Sequence, residues 1–289
     1  MSSRSLVGLS APAKLNLFLH VTGRRPDGYH TLQSVFMRID WQDTLDFTLR
    51  KDATITRRDT GTTSPLPADD LCVRAAHTLQ QATGCSMGAD IVLHKSIPSE
   101  AGMGGGSSDA ATTLIALNTL WNLKLDTQQL LTLALQLGAD VPFFILGHDA
   151  WVEGIGERLT PIALPPARFL VIKPESGAPT GKIFSAPDLV RNTIPATLQD
   201  FVASTSPYTY GHNDLQPVAS ALCPEIQAAL DCLADLGLQP RMTGSGSAVF
   251  AWLPQDFDAP AALQRVPQKN WKIRICSNLA VHPLLQCTA

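Results

Sequence analysis

The sequence predicts an α/β fold in two halves of comparable size, and three patterns carry that expectation. Residues 14–21, K-L-N-L-F-L-H-V, alternate as a half-buried strand does. Asp126 stands before an apolar run with Gln129 three positions on and a stop at Gly138, the pattern of a capped helix. From residue 169 onward, short apolar strands alternate with helical segments in a ferredoxin-like manner. At 289 residues the chain exceeds one average domain. Its composition shifts at T-P-I-A-L-P-P-A, so 1–160 and 161–289 are the expected domains.

In the first strand, Leu15, Leu17, Leu19 and Val21 line one face and Lys14, Asn16, Phe18 and His20 the other. Lys14 and Asn16 read first as a solvent face; the alternative is two polar groups projected toward one point. The turn G-R-R-P-D-G-Y-H delivers Tyr29 and His30 to an apolar strand at 32–39, where packing is the ordinary role of such a pair. A further strand is expected at 45–49, and the Thr-, Pro- and Asp-rich stretch 57–70 reads as loop. A helix over 71–82, closed by Gly84, precedes a buried strand at 89–94. Another helix runs from about Ser108 toward Leu120.

G-A-D-V-P follows the capped helix. Pro142 disfavours a helical Val141, which leaves Asp140 on a restrained turn as either a capping carboxylate or a functional one. Beyond the strand at 169–173, the loop P-E-S-G-A-P-T-G-K-I-F holds Thr180 on a constrained turn. The stretch 192–212 has no clear period and takes no assignment. Pro224 opens a helix closed by Gly237. The turn R-M-T-G-S-G-S-A then separates L-Q-P-R-M from the strand V-F-A-W-L, as a tight hairpin would.

The most informative stretch is P-S-E-A-G-M-G-G-G-S-S-D-A-A, from Pro98 to Ala111. Glycine tolerates positive φ and close backbone approach, and a helix N-terminus offers unpaired N–H groups to an anion. The stretch is therefore either a phosphate cradle or a helix capped by Ser107 or Ser108 after a glycine turn. It is not a P-loop, lacking G-x-x-x-x-G-K-[ST], and Ser107 stands where the Rossmann fingerprint needs its third glycine.

A formal charge of −3 gives no support for a nucleic-acid partner. Cys72, Cys85, Cys223, Cys232, Cys276 and Cys287 show no metal spacing and read as reduced thiols of a cytoplasmic protein. The N-terminus lacks the apolar core of a signal peptide, and no run is long enough to span a membrane.

Five segments, A-P-A-K-L-N-L-F-L, R-P-D-G-Y-H-T-L, the glycine loop, L-G-A-D-V-P-F-F and R-M-T-G-S-G-S-A-V-F, occur in that order over nearly the whole chain. Together they resemble the CDP-methylerythritol kinases, a family of the GHMP kinase superfamily. That resemblance implies a two-domain GHMP fold, with a left-handed βαβ crossover in the nucleotide-binding domain and a ferredoxin-like second domain. It implies ATP-dependent phosphorylation of a tertiary hydroxyl on the methylerythritol unit, in the non-mevalonate isoprenoid pathway. Magnesium is expected with ATP, held mainly by phosphates and water, with the Ser107 hydroxyl as a candidate ligand.

By the same resemblance, Lys14 and Asp140 match the catalytic pair. The nucleotide loop is Pro98, Ser99, Glu100, Ala101, Gly102, Met103, Gly104, Gly105, Gly106, Ser107 and Ser108. Asn16, Tyr29, His30 and Thr180 fall in the substrate pocket, with Phe184 as the other wall for the cytosine ring, and Thr243 to Gly246 match the third motif of the superfamily. Two departures stand out: Asp70 occupies a position near the adenine that many members fill with Asn, and Glu100 places a carboxylate near the expected triphosphate. Partners are the two small-molecule substrates, with no nucleic acid and no membrane, and a monomer or weak homodimer is expected. The alternatives are a GHMP kinase for another small alcohol and a nucleotide-binding sensor that has lost catalysis; retention of both Lys14 and Asp140 argues against the second.

Overall fold

The computed structural model describes residues 4–61, 66–267 and 269–287. Two long antiparallel strands, β1 (Ser5–Arg24) and β2 (His30–Arg50), organise the first half. The turn between them closes through Arg25 N donating to Tyr29 O at 2.7 Å. The polar face of β1 does not meet solvent: Lys14, Asn16, Phe18 and His20 are all buried. Register shifts along the hairpin also break the simple alternation, so Leu15, Leu17 and Phe18 enter one apolar cluster and Leu19 and Val21 another.

The chain continues through β3 (Ile55–Thr60), α1 (Leu71–Thr83) and β4 (Gly88–His94), giving two parallel strands joined by a helical crossover. The expected loop at 57–70 is thus partly strand; its residues 62–65 lie outside the described ones. The reason is position. β3 is a sheet edge, where the polar residues Arg57, Arg58 and Asp59 are tolerated.

Helix α2 (Gly105–Leu120) begins three residues earlier than its propensities suggest, and its N-cap is Gly104 rather than either serine. Two N-terminal glycines disfavour a helix locally. Burial overrides this, because α2 is packed on most of its circumference and small residues let neighbours approach. Helix α3 (Thr127–Leu137) carries the expected capping box, Asp126 Oδ1 accepting from Gln129 N at 2.8 Å. Asp126→Ala should cost about 1 kcal/mol in urea unfolding while leaving function untouched, since Asp126 is exposed.

Helix α4 (Val141–Leu146) corrects the expectation for Val141, which is helical despite Pro142. A proline in the first helical turn forfeits no internal hydrogen bond, and burial of Val141 to Ile145 outweighs the bias on the residue before it. Strands β5 (Ala150–Glu153) and β6 (Arg158–Pro161) complete a sheet of order β3-β4-β2-β5-β6 with β1 on β2. Part of the expected connection at 159–166 is therefore strand.

The second half comprises β7 (Arg168–Lys173), α5 (Thr180–Ser185), α6 (Leu198–Ala203), α7 (Gln216–Leu222), α8 (Pro224–Asp235), β8 (Pro240–Met242), β9 (Val249–Leu253), α9 (Ala259–Arg265) and β10 (Lys272–Ser277). Its sheet order, β10-β7-β9-β8, with every pairing antiparallel, is the ferredoxin-like arrangement. Where the halves meet, Ala13, Leu15 and Leu17 of β1 share an apolar cluster with Phe169, Val171 and Phe250. That cluster also takes in Ala101 and Met103 of the glycine loop, so the loop is rooted in the core.

Candidate active site

The glycine loop alternates between two anchored residues and three left-handed ones. Glu100, Gly102 and Gly104 have φ of 52°, 69° and 69°, while Ala101 and Met103 are buried. Such alternation turns successive amides toward one side, the geometry of an anion nest. Gly104 has no side chain with which to cap α2, and the first turn of that helix holds no acidic residue. The leading N–H groups and the positive end of the dipole are thus free for a negative ligand.

Backbone bonds tie this loop to its neighbours: Met103 O accepts from Lys14 N at 2.9 Å, Glu100 O from Ser247 N at 3.0 Å and Ala101 O from Ala248 N at 3.2 Å. The third-motif turn at Thr243 therefore packs on the glycine loop rather than forming an isolated hairpin. From below, Lys95 joins Asp43 and Asp109, 2.8 Å from Asp109 Oδ2, and Asp43 accepts from Ile97 N at 2.8 Å. Burial alone would lower the Lys95 pKa, but the two carboxylates more than offset it and raise it.

A cleft of about 620 Å³ opens beside the loop, and Lys14, Asn16, Tyr29, His30, Asp140, Thr180 and Phe184 all line it, together with Gly102 and Gly104. Lys14 is buried at 3 % exposure, with its ammonium 3.5 Å from Asp140 Oδ2 and 4.6 Å from the Phe36 ring centre. Asn16 Oδ1 also accepts from it, and that amide is oriented by its own donation to Ser34 Oγ at 2.9 Å. Burial pushes the Lys14 pKa down, and Asp140 opposes the shift by favouring the charged form.

Asp140 occupies the cap position of α4, yet its side chain makes no capping bond. Its carboxylate is one-third exposed to the cleft, and Lys14 is its partner in the pair. The capping role considered from sequence is thereby excluded.

At the far end, the His30 and Phe184 rings lie 5.1 Å apart between centres, tilted by 30°. Phe184 packs beside His30 rather than across from it, and Tyr29, 62 % exposed, forms the open lip. Thr180 begins α5, and its hydroxyl lies 2.8 Å from Ser245 Oγ, which links α5 to the third motif.

Other expected residues play different parts. Pro98, Ala101 and Met103 are buried, while Ser99 borders a separate hollow of about 340 Å³ with Pro98, Lys95, Lys173 and Lys272. The Glu100 side chain is exposed. Asp70 caps α1 through Val73 N at 3.1 Å and pairs with Arg57. The Ser108 hydroxyl is buried without a protein partner.

Sequence reasoning missed two positioning residues. Asn213 donates to Met242 O at 2.7 Å and Gly244 O at 2.8 Å, clamping the third-motif turn. Arg191 donates to His30 Nε2 at 3.0 Å. Both immediately flank the aperiodic 192–212 stretch, and only the turn-like G-H-N-D pattern around Asn213 offered a signal.

A nucleotide-type loop, a buried lysine–carboxylate pair and an aromatic-ended cleft across two such domains define a small-molecule kinase of the GHMP class. Models of the GHMP kinases N terminal domain and GHMP kinases C terminal match residues 70–148 and 203–273. The 4-diphosphocytidyl-2-C-methyl-D-erythritol kinase of Paracidovorax citrulli is 58% identical, over 97% of this chain and 97% of that one. The kinase of the same name from Polaromonas naphthalenivorans is 58% identical over 97% and 95%. A crystal structure of 4-(cytidine 5'-diphospho)-2C-methyl-D-erythritol kinase superimposes with TM-score 0.75 at 33% identity, covering 94% of this chain and 99% of its own. The chain belongs to the 4-diphosphocytidyl-2-C-methyl-D-erythritol kinase family.

Proposed function

We propose that this chain transfers the γ-phosphoryl group of ATP to the 2-hydroxyl of 4-diphosphocytidyl-2-C-methyl-D-erythritol, within non-mevalonate isoprenoid precursor synthesis. The observation that carries the reading is Asp140. Its carboxylate makes no capping bond, is held by Lys14, and faces the same cleft as the glycine loop and the His30–Phe184 pair.

Phosphoryl transfer asks for positioning and charge stabilisation more than covalent help. The loop amides and the α2 N-terminus hold β- and γ-phosphates as charge builds on their oxygens. Asp140 accepts a hydrogen bond from the acceptor hydroxyl and takes its proton as that oxygen bonds to the γ-phosphorus and ADP leaves. Lys14 orients Asp140 and balances charge. No group of three or more His, Cys, Asp or Glu suited to a metal exists among the described residues. Magnesium would arrive with the triphosphate, and the Ser107 hydroxyl at the first turn of α2 would be its protein contact. When bound, magnesium neutralises phosphate charge.

We assign residues 1–160 to the nucleotide-binding domain and 161–289 to the second domain; the first sheet ends with β6, whose last residue Pro161 sits at that boundary, and the second begins at β7. A monomer or weak homodimer accommodates this reading, since one copy supplies every group invoked. No described helix is long and apolar enough to cross a membrane, and the unpaired cysteines Cys72, Cys85, Cys223, Cys232 and Cys276 suit a reducing cytoplasm.

The aromatic end sets the base pocket. Stacking tolerates any base and is worth roughly 1–3 kcal/mol; edge hydrogen bonds discriminate, because a wrong base leaves buried groups unpaired. Phe184→Ala should raise KM about tenfold with the cytosine-over-uracil preference unchanged, whereas His30→Ala should weaken both. The test compares kcat/KM for cytidine and uridine forms of the substrate. Equal treatment of both by the wild type, or equal phosphorylation of free methylerythritol, would remove the base pocket from this cleft.

A further inference from the structure

We infer that Arg191 is a positioning residue that locks His30 as the Nδ1–H tautomer, and that this fixed donor makes the enzyme prefer cytosine to uracil. The inference rests on the base-pocket reading given above and deepens it.

The geometry leaves Arg191 little freedom. Its Nη1 donates to Leu189 O at 2.9 Å and its Nη2 to Phe184 O at 3.0 Å and Ala186 O at 2.6 Å, while its Nε reaches His30 Nε2 at 3.0 Å. A guanidinium has donors only and keeps its charge. His30 Nε2 must therefore accept, and in a neutral imidazole the proton then resides on Nδ1. No protein group bonds Nδ1 among the described residues, and His30 lines the cleft. The Arg191 bonds to Phe184 O and Ala186 O also fix the end of α5 that carries the Phe184 ring. One side chain thus sets both the wall and the reader of the pocket.

The tautomer determines which base is accepted. N3 of cytosine is an acceptor, whereas N3 of uracil carries a proton. An Nδ1–H donor satisfies the first and opposes the second; the reverse tautomer would invert the preference. Charge reinforces the assignment. Burial, then Arg191, then Arg24 lower the His30 pKa. Those two arginines are the charged groups acting on the ring, from the 186–197 segment and from β1, with Phe184 of α5 packed on it.

The decisive measurement is long-range proton–nitrogen correlation of the His30 imidazole in the wild-type protein, which needs no substitution. It should show a neutral Nδ1–H ring that gains its second proton only below histidine's ordinary value. An Nε2–H tautomer, or protonation near pH 6.5, would overturn the inference. In Arg191→Met, the cytosine-to-uracil ratio of kcat/KM should fall about tenfold, with kcat for the cytidine form within about threefold of wild type. KM for that form, flat in the wild type as pH crosses the ordinary histidine value, should acquire a break there in the variant. If His30→Ala abolishes base preference while a folded Arg191→Met retains it, this inference fails and the pocket reading stands. Retained preference in His30→Ala would bring down the pocket reading with it.

Discussion

Asp140→Asn should lower turnover about a hundredfold or more while ATP affinity stays nearly intact. The amide keeps the size of the carboxylate but cannot take the hydroxyl proton. Asp140 caps nothing, so α4 keeps its start, but Lys14 loses its ion-pair partner, and urea unfolding checks that the variant is folded. The substitution also removes the carboxylate that opposes the effect of burial on Lys14, so the Lys14 pKa falls further. Lys14→Met should cost a similar factor, and the double substitution should be far from additive, because the two act as a unit across 3.5 Å. Steady-state rates on the three variants, with calorimetry of an ATP analogue, decide the matter. Near wild-type turnover in folded Asp140→Asn would sink the assignment.

Gly102→Ala should be the most damaging small change in the glycine loop. A Cβ there would lie 2.2 Å from Thr243 O and 2.9 Å from Gly246 N, both backbone atoms, on a residue with φ of 69°. The loop and the third-motif turn would have to separate. A loss of about 3 kcal/mol in urea unfolding should accompany collapse of ATP affinity. Gly84→Ala is the control: its φ is 66°, but nothing lies within 4 Å of the added carbon. It should cost about 1 kcal/mol and leave nucleotide binding alone. Unchanged ATP-analogue affinity in Gly102→Ala would place the phosphates elsewhere.

What could be read from sequence was what leaves a local chemical mark. The Asp126–Gln129 capping box, Gly84 and Gly237 at helix ends, and the strand–helix alternation of the second half rest on short-range sterics and hydrogen bonds, and they emerged as expected. The family motifs pointed to Lys14, Asp140 and His30, which the fold gathers at one cleft from three elements. Interactions spanning many residues left no such mark. Strand β3 is polar because it is an edge, Gly105 and Gly106 are helical because α2 is buried, and Val141 is helical because its turn is packed. Arg191 was invisible for the same reason: its partner is 161 positions away. The division of Asp140 from an ordinary cap required coordinates, since only the missing capping bond separates the two.

The most direct test of the account is phosphorus NMR of the purified chain with ATP, magnesium and 4-diphosphocytidyl-2-C-methyl-D-erythritol. One ADP should appear for each new phosphomonoester on the methylerythritol unit, with the diphosphate bridge intact and no product in Asp140→Asn. ADP formed without that phosphomonoester, or the same phosphomonoester formed at wild-type rate by Asp140→Asn, would contradict it.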